Sequence, residues 1–76
     1  MRERVKEAMS AVFELPASEI PDDASPESVE GWDSLGQIQL VLELEMAFGV
    51  RLPAEQIPEL VTLGAIEEAL RELGAA

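Results

Sequence analysis

Seventy-six residues without a cysteine suit one small domain, 1–76, that neither disulfides nor thiolate-bound zinc can reinforce; helix packing must hold it, and a reducing cytoplasm is expected. Sixteen Asp and Glu against five Lys and Arg leave a net charge of -11, a field that repels phosphate backbones, excludes nucleic acid as a partner and attracts basic protein surfaces. No apolar run approaches the length of a membrane span, and Met1 to Glu7 alternates charged and apolar residues, so neither membrane insertion nor secretion is expected.

Between Arg2 and Glu14, Val5, Ala8, Met9, Val12 and Phe13 recur at steps of three and four, the stripe of an amphipathic helix. Leu15-Pro16 closes it. The segment onward to Gly31 contains Pro16, Pro21 and Pro26 and shows little apolar periodicity, so it reads as a long loop. Connections of that length are uncommon in compact domains without a role, so a helical turn within it or an exposed function is expected. Glu19, Asp22, Asp23, Glu27, Glu30 and Asp33 collect there with no basic residue among them.

Asp33 stands at an N-cap position, Ser34 is the first helical residue, and good helix formers run from Leu35 to Phe48 before Gly49 supplies the stop. After the extended Val50-Arg51-Leu52-Pro53, Ala54 to Leu60 can form only a short helix, because Pro58 removes a donor within it. Thr62 can cap a last helix in which Leu63, Ile66, Ala69, Leu70 and Leu73 share a face, ending at Gly74. The predicted fold is all-α: a small four-helix bundle with a long first loop and a short third helix.

Intrinsic catalysis has little to work with. There is no His, Cys or Tyr, so a Ser-His-Asp triad is impossible, and Lys6, the sole lysine, is expected on a solvated face of the first helix with nothing to lower its pKa. Asp22-Asp23 lacks the alternating oxygen ligands and central Gly of a calcium loop. The second helix is more informative, because its apolar positions cover roughly 240° of its circumference, more than one core seam needs. Leu40, Val41, Leu44, Ala47 and Phe48 fall on one side, and Leu35, Ile38, Leu42 and Met46 on the other. Either the helix is central and buried on both sides, or the second group is exposed beside Ser34 as a docking strip.

Gly31-Trp32-Asp33-Ser34-Leu35, opening a Leu-rich helix that ends in Phe48-Gly49 and continues Val50-Arg51-Leu52-Pro53, resembles the acyl and peptidyl carrier proteins of fatty-acid, polyketide and nonribosomal peptide synthesis. The resemblance spans essentially the whole chain. It implies a stand-alone, monomeric carrier without catalysis of its own, with 4'-phosphopantetheine from coenzyme A attached to Ser34 and Asp33 serving the magnesium site of the phosphopantetheinyl transferase. The implied partners are that transferase, an acyl- or aminoacyl-loading ligase or transferase, and downstream biosynthetic enzymes with basic docking surfaces. Leu35, Ile38, Gln39, Leu42, Glu45 and Met46 are the expected contact residues. Housekeeping fatty-acid carriers usually have acidic residues just after Asp-Ser-Leu, where this chain has Gly36, Gln37 and Gln39. That departure resembles carriers of specialised pathways. Trp32 is either a loop aromatic packed over the helix start or a partner contact. The competing reading is an acidic helical interaction module that uses the same face without a prosthetic group.

Overall fold

The computed structural model describes residues 1–75. Three α-helices, α1 (Arg2–Phe13), α2 (Ser34–Phe48) and α3 (Leu63–Glu72), are joined by long connections, each with a 3-10 helix, Ala17–Glu19 in the first and Ala54–Glu59 in the second. Among the described residues there is no strand. The expected short third helix is the second of these 3-10 helices, with Pro58 inside it. Its tighter hydrogen bonding suits a segment in which proline denies the backbone a donor.

Val5, Ala8 and Met9 of α1, Leu40, Val41 and Leu44 of α2, and Leu63, Ile66, Ala69 and Leu70 of α3 meet in one buried cluster. Leu73 does not join them: it follows the last helical residue and is 39% exposed, because the chain turns away at Gly74, whose φ of 78° is left-handed. At its other end α3 is capped by Thr62, whose hydroxyl accepts from the N–H of Ala65 at 3.0 Å.

The first connection is far less loose than its composition suggests. Ile20, Ala24, Val29 and Trp32 all drop into the core, and the Ala24 carbonyl accepts the N–H of Leu63 at 3.1 Å, fastening the loop to the start of α3. Their irregular spacing carries no helical or strand period, so the sequence pattern hid them. The loop starts where α1 ends, at Glu14 in the left-handed region with φ 58°, an unusual conformation for a residue bearing a Cβ.

Charge also ties the elements together. Arg2 makes a two-pronged contact with Glu67 of α3, at 2.8 and 3.1 Å, and reaches Asp22 at 3.4 Å. Lys6 meets Asp22 at 2.7 Å, and with its side chain only 15% exposed it lies against the loop and not on the solvated face expected for it. Basic residues of α1 thus neutralise part of a loop that has none of its own. Arg4 stacks over Phe48 at 4.5 Å and donates to the Ala47 carbonyl, placing positive charge at the C-terminal end of α2, where the helix dipole favours it.

Candidate functional site

Ser34 is the exposed first residue of α2. Asp33 precedes it with an extended backbone, and its carboxylate accepts from the N–H of Gly36 at 2.8 Å. This cap satisfies one of the free amide groups at the helix start and leaves a hydroxyl at the positive end of the helix dipole. An anionic ester formed on that hydroxyl would sit in a favourable field.

From Ser34 the helix presents two faces of opposite exposure. Leu40, Val41 and Leu44 are buried, whereas Leu35, Ile38, Leu42 and Met46 stand in solvent, Leu35 at 64% and Met46 at 73%. Ala47 and Phe48 are intermediate. The helix is therefore not buried on both sides. Gln39 is exposed with the strip. Glu45 differs from its neighbours: it is half-buried, and its carboxylate accepts the N–H of Leu52 at 2.8 Å, fastening the extended segment after α2.

Gly36 and Gln37 have structural duties that their place after Asp-Ser-Leu does not reveal. A Cβ on Gly36 would lie 2.1 Å from the Gly31 carbonyl oxygen and 3.1 Å from the Phe13 ring, so only glycine lets the loop backbone press this closely on the helix. Gln37 reaches two other segments. Its amide nitrogen donates to the carbonyls of Ile57 at 2.8 Å and Leu60 at 2.9 Å, while its oxygen accepts from the indole N–H of Trp32. A carboxylate at position 37 could accept from the indole but could not serve the two carbonyls. Trp32 is buried and stacks on Phe13 with ring centroids 5.6 Å apart, so it packs over the helix start. Trp32, Asp33, Ser34 and Gln37, with Pro26, Pro58 and Val61, line an open groove of about 300 Å³ beside the serine. Sequence reasoning found Ser34 and the strip but missed this groove, because Pro26, Pro58 and Val61 come from connections without periodicity.

A family model described as a phosphopantetheine attachment site matches residues 3–70. The chain belongs to that family. It is also 30% identical over 73 residues to an acyl carrier protein of Saccharopolyspora erythraea, a match covering 96% of this chain and 77% of the relative. Membership makes it a carrier of acyl groups on covalently attached 4'-phosphopantetheine, without catalytic activity of its own. The unmodified interaction module is thereby set aside.

The residues present fit that group. A carrier needs a hydroxyl that a modifying enzyme can reach and a helix start that tolerates a phosphodiester, and the exposed, Asp-capped start of α2 has both. The carrier's ion pairs lie elsewhere, at the base of the first connection. The hydrogen bond from Lys6 and its charge hold the Asp22 carboxyl below the ordinary carboxylate range, with Arg2 adding to the effect. Glu67 is likewise held low, first by its hydrogen bond from Arg2.

Proposed function

We propose that Ser34 is the attachment residue and that the chain works as a carrier in the cytoplasm, serving a specialised polyketide, nonribosomal peptide or modified-acyl pathway. The observation that carries this is an exposed serine opening a capped helix with an exposed apolar strip directly behind it. When attached, the prosthetic group supplies a terminal thiol that holds cargo as a thioester.

Ser34 Oγ forms the bond to phosphorus as the pyrophosphate link of coenzyme A breaks, the adenosine bisphosphate leaves and the hydroxyl proton is lost. The first turn of α2 favours the resulting negative charge by about 0.3–1 kcal/mol. Asp33 holds that turn in shape and offers a carboxylate to the transferase's magnesium ion. Leu35, Ile38, Leu42 and Met46 form an apolar landing strip, with Gln39 beside it and Glu45 at its margin, for the transferase, a loading ligase or transferase, and later enzymes of the pathway. The net charge of -11 steers their basic surfaces inward. The specialised assignment rests on Gln39, the exposed position among the three departures from acidic character; Gly36 and Gln37 are accounted for by packing.

Incubation with a broad-specificity phosphopantetheinyl transferase, coenzyme A and magnesium tests the assignment by mass spectrometry. One phosphopantetheinyl group per chain is expected on the native protein and none on Ser34→Ala. Labelling that persists in the variant, or no labelling with several active transferases, would overturn it.

A further inference from the structure

We propose that Met46 is an oxidation site, and that its conversion to the sulfoxide by hydrogen peroxide turns the docking strip of α2 off. The proposal rests on the reading of that strip as the surface that partners meet. At 73% exposed, Met46 is the most open large apolar side chain among the described residues, whereas Met9 is sealed in the core and Met1 is half-buried against it. Oxidation of a thioether follows its access to the oxidant, so peroxide in solution meets one of the three methionine sulfurs first. The chain has no cysteine and its tryptophan is buried. Peroxide that reaches the apo protein therefore finds no thiol to consume it before Met46.

The chemistry is self-contained. A lone pair of the Met46 sulfur forms the S–O bond as the O–O bond of the peroxide breaks, the transferred oxygen gives up its proton, and water leaves. Sulfur is oxidised by two electrons and the peroxide is reduced by two. The thiols of a methionine sulfoxide reductase reverse the step, removing the oxygen as water and ending as a disulfide. Leu35, Ile38 and Leu42, the other members of the strip, are hydrocarbon side chains and have no such reversible change available.

Position turns that change into a switch. Met46 closes the far end of the strip, about 18 Å along the helix axis from Ser34, one turn beyond Leu42. A sulfoxide there carries a strong acceptor oxygen, and a partner that lays an apolar surface over it must strip water from an oxygen left without a donor. Folding is not opposed, because the free side chain keeps its water. The modification is also neutral, so the net charge of -11 still steers partners inward and only the close contact is lost.

The experiment treats the apo chain with dilute hydrogen peroxide, maps the added oxygen by peptide mass spectrometry and measures the rate of transferase modification at subsaturating carrier, with Met46→Leu and Met46→Asp alongside. Expected are one oxygen on Met46 ahead of Met1 and Met9, unchanged helical circular dichroism, modification slower by about fivefold to tenfold, and recovery after methionine sulfoxide reductase. Met46→Leu, equally apolar, should keep its full rate through the same treatment. Oxygen that reaches Met1 or Met9 first overturns the switch. A Met46 sulfoxide modified at the native rate while Met46→Asp is slow overturns it too, and leaves the strip as a docking surface. Native rates in both the sulfoxide and Met46→Asp overturn the switch together with the docking reading. Loss of rate in peroxide-treated Met46→Leu assigns the effect to another residue and overturns the proposal.

Discussion

The two faces of α2 are nearly equal in apolar content and opposite in fate. Leu40, Val41 and Leu44 are sealed against α1 and α3, while Leu35, Ile38, Leu42 and Met46 face water. A helix with so much apolar surface has almost no preferred side by composition, and what separates the faces is where α1, α3 and the first connection are placed around it. Hydrophobic character thus states what a face can bury, and tertiary contacts state whether it does.

The sharpest test of that difference is a charge on each side. Leu44→Asp combines the loss of a core side chain, about 2–5 kcal/mol, with burial of an unpaired carboxylate. A domain of this size holds only on the order of 4–11 kcal/mol in total, so the variant should lack a cooperative thermal transition by circular dichroism. A folded Leu44→Asp would mean that this face is not the core.

Next in size is Gly36→Ala, on the side where loop and helix touch. The added Cβ must displace the Gly31 carbonyl, an overpacking expected to cost about 1–3 kcal/mol. At roughly 4–8 °C per kcal/mol for a small domain, calorimetry should record a clear drop in Tm, although alanine is otherwise the better helix former. An unchanged or raised Tm would show that the loop backbone yields freely.

Acid should weaken the fold through Glu67 and Asp22, which tie α3 and the first connection to α1. Both carboxyls are held below their ordinary range by Arg2 and Lys6, so their stabilising effect is fully present above the unfolded pKa of about 4. It is lost as pH falls from there through the lower folded values, because the unfolded chain takes up protons first. Urea titrations between pH 7 and pH 3 should show a falling midpoint, and Glu67→Gln should flatten part of that dependence. The same slope in both proteins would remove Glu67 from the effect.

The smallest effect on folding is expected on the open face. Met46→Asp and Leu42→Asp should change stability by about 0.5 kcal/mol or less, yet slow modification by the transferase if the strip is a docking surface. Full transferase rates on both folded variants would place docking elsewhere.

Legibility followed local chemistry. Asp33 at the cap, Ser34 at the first turn, Gly49 at the stop with φ 65° and Thr62 at the next cap were readable because each acts on backbone groups within a few residues. Lys6 and Leu73 were misread because their surroundings come from distant chain: Asp22 covers one, and the turn at Gly74 leaves the other in the open. Gln37 shows the same limit. Its amide looks like a missing acidic contact in a one-dimensional comparison and proves to be a brace to carbonyls 20 and 23 residues away.

Composition, period and the Asp-Ser-Leu setting were sufficient by themselves for the helical class, the starts of α1, α2 and α3, the absence of catalytic side chains and the serine at the helix start, since each depends on residue type and near neighbours. Tertiary structure alone decided which face of α2 is covered, why positions 36 and 37 are glycine and glutamine, and that a groove opens beside Ser34. Those outcomes depend on close approach between segments far apart in the chain, where an ångström of backbone position decides between contact and collision.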